Sequence, residues 1–82
     1  MNHDELKALV LREVTNIAPE TDPDQIDPAA ALRDQVGLDS MDILNLMIAI
    51  HEATGVDIPE ADYSKMATID EVIAYLETRI TR

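Results

Sequence analysis

The sequence predicts an all-α domain: a four-helix bundle of three longer helices and one short one, with a long first loop. Three observations carry this. Apolar residues recur at spacings of three and four in separate segments, and nowhere do they alternate with the period of two expected of a half-buried strand. Helix-capping patterns precede these segments. Four prolines and two glycines punctuate the chain between them. At 82 residues the chain is one domain, residues 1–82. A domain of this size buries only ~60% of the surface its unfolded chain exposes, so the core is thin and must pack efficiently.

Leu6, Leu9, Val10, Val14 and Ile17 mark the first helix. Asn2 caps it, with Glu5 completing a capping box, and Pro19 stops it near Ile17 or Ala18. From Pro19 to Asp39 runs a Pro-, Asp- and Ala-rich connection, longer than is usual in a compact domain. Ile26, Leu32, Val36 and Leu38 are its candidate anchors. A second helix runs from Asp39 or Ser40 to Thr54, with Asp39 as N-cap and Gly55 as C-terminal stop. Pro59 opens a short third turn, Glu60 to Lys65. Thr68-Ile69-Asp70-Glu71 is a capping box for the last helix, whose apolar face is Ile69, Val72, Ile73, Leu76 and Ile80.

Seventeen acids against six bases give a net charge of −11. Phosphates and anionic lipid would be repelled, so nucleic acid is excluded as a partner and basic protein patches are favoured. The absence of cysteine removes disulfides, Cys-ligated zinc and thiol nucleophiles. With only His3 and His51, no metal site is expected. Apolar runs fall far short of the ~20 residues of a membrane span. Met1-Asn2-His3-Asp4-Glu5 lacks the pattern of an export signal, and a cytoplasmic location is expected. Without Phe or Trp, the core must be Leu, Ile, Val, Met and Ala.

The second helix has two apolar sides. At about 100° per residue, Ile43, Leu46, Met47 and Ile50 share one, while Met41, Leu44 and Ile48 lie on the other among Asn45 and Glu52. A helix apolar all round is either wrapped by its neighbours or carries a contact surface, and periodicity alone does not choose. Ser40 stands at the start of this helix. Serine there is an ordinary cap. It is equally a hydroxyl placed to carry a phosphate, where free N–H groups and the positive helix end stabilise an anion. Asp39 and Asp42 disfavour a free anion but tolerate a singly charged phosphodiester.

Other chemistries are excluded. His51 lies three turns from Ser40, ~16 Å at about 1.5 Å per residue, too far to act as its base, and is expected to be an exposed helix histidine. The residues around Ser40 do not form the G-x-S-x-G elbow of serine hydrolases. Counted from Asp22 as an EF-hand loop, position six is Asp27 rather than Gly and position twelve is Arg33 rather than Glu. Lys7, Arg12, Arg33, Lys65, Arg79 and Arg82 form no cluster; Arg79 and Arg82 suit the dipole of the last helix.

The run Leu32-Arg33-Asp34-Gln35-Val36-Gly37-Leu38-Asp39-Ser40-Met41-Asp42 resembles the signature of the acyl carrier protein family, roughly aromatic-x-[acid]-[acid]-Leu-Gly-x-Asp-Ser-Leu-[acid]. Gly55-Val56-Asp57-Ile58-Pro59 resembles that family's Gly-x-x-Ile-Pro segment. Ala67-Thr68-Ile69-Asp70-Glu71-Val72 resembles the start of its last helix. The resemblance extends from Leu6 to Ile80 in order and spacing.

The resemblance implies that Ser40 is esterified to a 4′-phosphopantetheine arm from coenzyme A, with Asp39 assisting the transfer. The arm's thiol then carries an acyl or related group as a thioester, and the chemistry belongs to the arm and to partner enzymes rather than to this chain. The implied partners are a phosphopantetheinyl transferase and acyl- or aminoacyl-loading and condensing enzymes. They would meet Met41, Leu44 and Ile48 together with Asp39, Asp42, Asn45 and Glu52. The chain would be a monomer, not inserted in membranes. Asn45 and His51 stand where fatty-acid carriers usually have acids, Thr54 replaces the usual Phe, and Leu32 replaces a loop aromatic. These departures imply a carrier for a specialised fatty-acid, polyketide or related pathway. A core without large rings, with adaptable methionine, is expected to admit part of the cargo. The alternative is an unmodified acidic adaptor that binds a basic protein through the second helix.

Overall fold

A computed structural model describes residues 2–80. Its elements are α1 (His3–Ile17), a 3₁₀ turn (Pro23–Gln25), α2 (Leu32–Val36), α3 (Ser40–Thr54), a 3₁₀ segment (Glu60–Lys65) and α4 (Ile69–Arg79). No strand occurs among the described residues. Arg82, expected to serve the end of the last helix, lies outside them.

Local chemistry sets the helix ends. Asn2 and Glu5 form the capping box of α1, and Thr68 and Glu71 that of α4. Gly37 and Gly55 close α2 and α3 at φ of 74° and 75°, the left-handed region that favours glycine. α1 packs against both α3 and α4. Leu6, Val10 and Val14 of α1 meet Leu46, Met47 and Ile50 of α3 and Ile69, Val72, Ile73 and Leu76 of α4 in one core, and Tyr75, 7% exposed, joins it where only aliphatic residues and methionine were expected.

The long first connection is more structured than its sequence suggests. It holds the Pro23–Gln25 turn and the whole of α2. Five residues are too few to display a helical period, so α2 gives no signal of its own. The expected anchors Ile26, Leu32 and Leu38 are buried, and Val36 is half-buried. Polar ties finish the job. The Leu32 N–H donates to Ala67 O at 2.9 Å, and the Asp70 N–H donates to Pro28 O at 3.0 Å. The Gln35 side-chain amide accepts from Asp27 N–H at 2.9 Å and donates to Asp27 O at 2.8 Å. The short turn after Pro59 is 3₁₀ throughout.

Candidate functional site

The start of α3 is fixed from both sides. Gly37 turns the chain out of α2, and its N–H donates to Arg33 O at 3.1 Å. Leu38, 5% exposed, pins the next residue into the core. Asp39 then takes the N-cap in extended conformation. Its carboxylate accepts from Asp42 N–H at 2.9 Å, and the Asp42 carboxylate accepts from Asp39 N–H at 3.2 Å. Asp39 and Asp42 thus form a reciprocal capping box.

This arrangement leaves Ser40 outside the cap. It is the first residue of α3 and is exposed, with Asp39 already filling the cap. Among the described residues no hydrogen bond engages its hydroxyl, so Ser40 is not the cap. An unengaged hydroxyl at the positive end of a 15-residue helix fits a covalent phosphodiester. The neighbouring carboxylates are oriented toward the backbone they cap.

Beyond Ser40, α3 divides cleanly. Leu46, Met47 and Ile50 are buried and Ile43 is half-buried against the core. Met41 is 62% and Ile48 45% exposed. With Asn45 and Glu52, also exposed, they fall at intervals of four, three and four along one helix face. Leu44 is a correction: it is half-buried, because at three residues from Met41 it lies round the side of the helix rather than on the outward stripe. Asp42 is likewise half-buried, held by its capping bonds.

A cleft of about 320 Å³ lies beside α3, lined by Met47, Ile48, His51, Asp57, Ile58, Pro59 and Tyr63. His51 is exposed as expected, but its Nδ1 lies 2.8 Å from Val56 O. A carbonyl only accepts, so this nitrogen carries the proton and ties the helix to the segment after Gly55. The Ile58-Pro59 motif was the one signal in the chain for this cleft.

A second feature unites residues with no shared motif. Tyr75 of α4 donates its O–H to Asp62 Oδ2 at 2.6 Å, and Lys65 Nζ lies 3.3 Å from Asp62 Oδ1. The Arg79 guanidinium stacks on Tyr75, 3.6 Å from the ring centroid, and reaches within 4.0 Å of Asp62 Oδ2. The hydrogen bond from Tyr75 holds the Asp62 carboxyl below its ordinary range, helped by Lys65 and Arg79 and opposed by desolvation. Burial, with the Asp62 bond, pushes the Tyr75 phenol up. Arg79, expected only to complement a helix dipole, has this specific seat.

Comparison with known proteins agrees with this geometry. A family model described as phosphopantetheine attachment site matches residues 4–76. The chain is 31% identical over 77 residues to an acyl carrier protein of Bdellovibrio bacteriovorus, covering 94% of this chain and 92% of that one. It is 29% identical over 75 residues to an acyl carrier protein of Wolinella succinogenes, covering 92% of each. The solved structure of an acyl carrier protein from Enterococcus faecalis superimposes with a TM-score of 0.81 at 19% identity, over 96% of this chain and 99% of that one, a likeness of fold.

Proposed function

Since this chain belongs to the acyl carrier protein family, whose attachment domain carries a covalent 4′-phosphopantetheine, we propose that Ser40 is the residue that bears the arm. One observation carries the assignment: the Ser40 hydroxyl is exposed and unengaged at the first position of α3, while Asp39 and Asp42 satisfy the helix end. When bound, the arm supplies a thiol that holds the acyl group as a thioester. The chain's own residues do the rest. The Gly37 turn and the Leu38 anchor present Ser40 to a transferase. Asp39, the residue immediately before Ser40 in the chain, assists transfer. The first turn of α3 offers its N–H groups to the phosphodiester.

The stripe of Met41, Asn45, Ile48 and Glu52 is the docking face for enzymes that load and extend the cargo, with Leu44 at its edge and Asp39 and Asp42 beside the arm. Its centre is neutral: an amide and two apolar side chains separate the acids at its ends. That composition favours partners with apolar rather than strongly basic patches, and with Leu32 and Thr54 it supports a specialised fatty-acid, polyketide or related pathway. In this reading the chain is a monomeric cytoplasmic shuttle with no catalysis of its own. Intact-mass measurement after incubation with coenzyme A, magnesium and a broad-specificity phosphopantetheinyl transferase tests the assignment. A gain of one phosphopantetheinyl unit that Ser40→Ala abolishes is expected. No gain in the wild-type chain would refute the carrier reading and leave the acidic adaptor.

A further inference from the structure

We propose that Met41 is a site of reversible oxidation, at which a peroxide adds one oxygen to the side-chain sulfur and turns the outward face of α3 from apolar to polar. Met41, Met47 and Met66 are the methionines among the described residues, and the fold separates them. Met47 is 1% and Met66 2% exposed, both inside the core. Met41 is 62% exposed, at the second position of α3 and directly after Ser40. An oxidant in water therefore meets one of these thioethers in the folded chain and reaches the other two only when the core opens. The chain has no cysteine, so no thiol of its own competes for the oxidant.

Position gives the reaction a consequence. Met41 and Ile48 are the two large apolar side chains left exposed among the described residues. They carry the apolar character of the stripe, since Asn45 is an amide and Glu52 a carboxylate. Met41 is the more exposed of the two, so its oxidation removes the larger share of that surface. A thioether is a soft, polarisable group that adapts to an apolar partner surface. A sulfoxide is polar and must stay hydrated or find a donor. The fold itself is spared. Met41 is neither in the core nor among the side chains packed against it, and the Asp39–Asp42 capping box uses backbone and carboxylate atoms only.

The step balances with hydrogen peroxide as oxidant. A sulfur lone pair attacks one peroxide oxygen, the O–O bond breaks and an S–O bond forms. The proton of the transferred oxygen passes to the leaving oxygen, which departs as water. The sulfur is oxidised and the peroxide reduced by the same electron pair. A methionine sulfoxide reductase reverses the change, the oxygen leaving as water while a dithiol becomes a disulfide. Selective oxidation stands on the burial pattern; that it governs docking rests on the carrier reading.

Peroxide treatment of the full unmodified chain, quenched with catalase and followed by peptide mass mapping, tests the site. Met41 should gain oxygen about tenfold faster or more than Met47 and Met66; the mapping separates Met1, which lies outside the described residues. Retention on a phenyl matrix should fall, with the urea midpoint unchanged. Equal rates at Met41, Met47 and Met66, a lowered midpoint or unchanged retention would each overturn the proposal. The KM of a phosphopantetheinyl transferase for the unmodified chain then reads docking, each chain compared with its own untreated sample. It should rise several-fold on oxidation, return after treatment with methionine sulfoxide reductase and a dithiol, and stay constant in peroxide-treated Met41→Leu. A constant KM in wild-type chain fully oxidised at Met41, or an equal rise in Met41→Leu, would remove Met41 as the switch. A chain that gains no mass from the transferase before any peroxide would refute the carrier reading instead, and the oxidation rates and retention would still decide whether Met41 is the site.

Discussion

Replacing Ser40 and Asp39 separately distinguishes carrying from capping. Asp39→Ala removes the oxygen that accepts from Asp42 N–H at 2.9 Å, leaving a first-turn donor without its partner. Such a loss costs about 0.5–2 kcal/mol. In a domain of this size each 1 kcal/mol moves Tm by roughly 4–8 °C, so a central value of ~1 kcal/mol lowers Tm by that much. Asp39→Asn keeps an acceptor of equal capping strength and should hold Tm within about 2 °C. Ser40→Ala removes an exposed hydroxyl with no bond to lose, at a helical position where alanine has the better propensity by ~0.5 kcal/mol. Its Tm should stay level or rise slightly. Thermal melts by far-UV circular dichroism and intact mass after transferase treatment read the two properties independently. The expected pattern is a stable Ser40→Ala that gains no mass, beside a destabilised Asp39→Ala. A Ser40→Ala chain that melts as low as Asp39→Ala would refute the separation, because the serine would then be the cap. A persistent mass gain in Ser40→Ala would place the arm on another residue.

Three further outcomes follow from the packing and the charges. Leu46→Ala, at a fully buried position of α3, should cost about 2–5 kcal/mol of a total of about 5–15, seen as a large drop in urea midpoint; a shift typical of surface positions would show that the core relaxes around it. Met41→Glu with Ile48→Glu should raise the KM of a loading enzyme for the carrier several-fold without lowering its urea midpoint, since both side chains are exposed; an unchanged KM would remove the stripe from the docking face. Asp62 titrates below its ordinary range when folded, so it contributes stability above its unfolded pKa of ~3.9 and loses it as pH falls through the lower folded value. Urea titrations between pH 6 and pH 2 should therefore show an acid-side loss that is smaller in Asp62→Asn, and identical slopes in the two chains would refute the coupling.

What the sequence determined by itself is what neighbouring residues settle among themselves. Asn2 with Glu5, Thr68 with Glu71, and Gly55 each act within a turn of their own position, so those ends of the three longer helices were readable before any packing was known. The resemblance that singles out Ser40 is readable for the same reason, since it is an ordered motif in one unbroken run of the chain. The tertiary structure decided the rest. Whether α3 turned Met41 and Ile48 outward depended on what α1 and α4 left uncovered, and a helix apolar on two sides holds no answer alone. α2 is too short to show a period and exists because Leu32 is buried, its N–H meets Ala67 O, and Gly37 closes its end. Asp62, Tyr75 and Arg79 meet only because the fold brings the Glu60–Lys65 segment against α4. Local hydrogen bonds and dihedral preferences are written in consecutive residues, whereas burial and charge pairing depend on which segments the folded chain brings together.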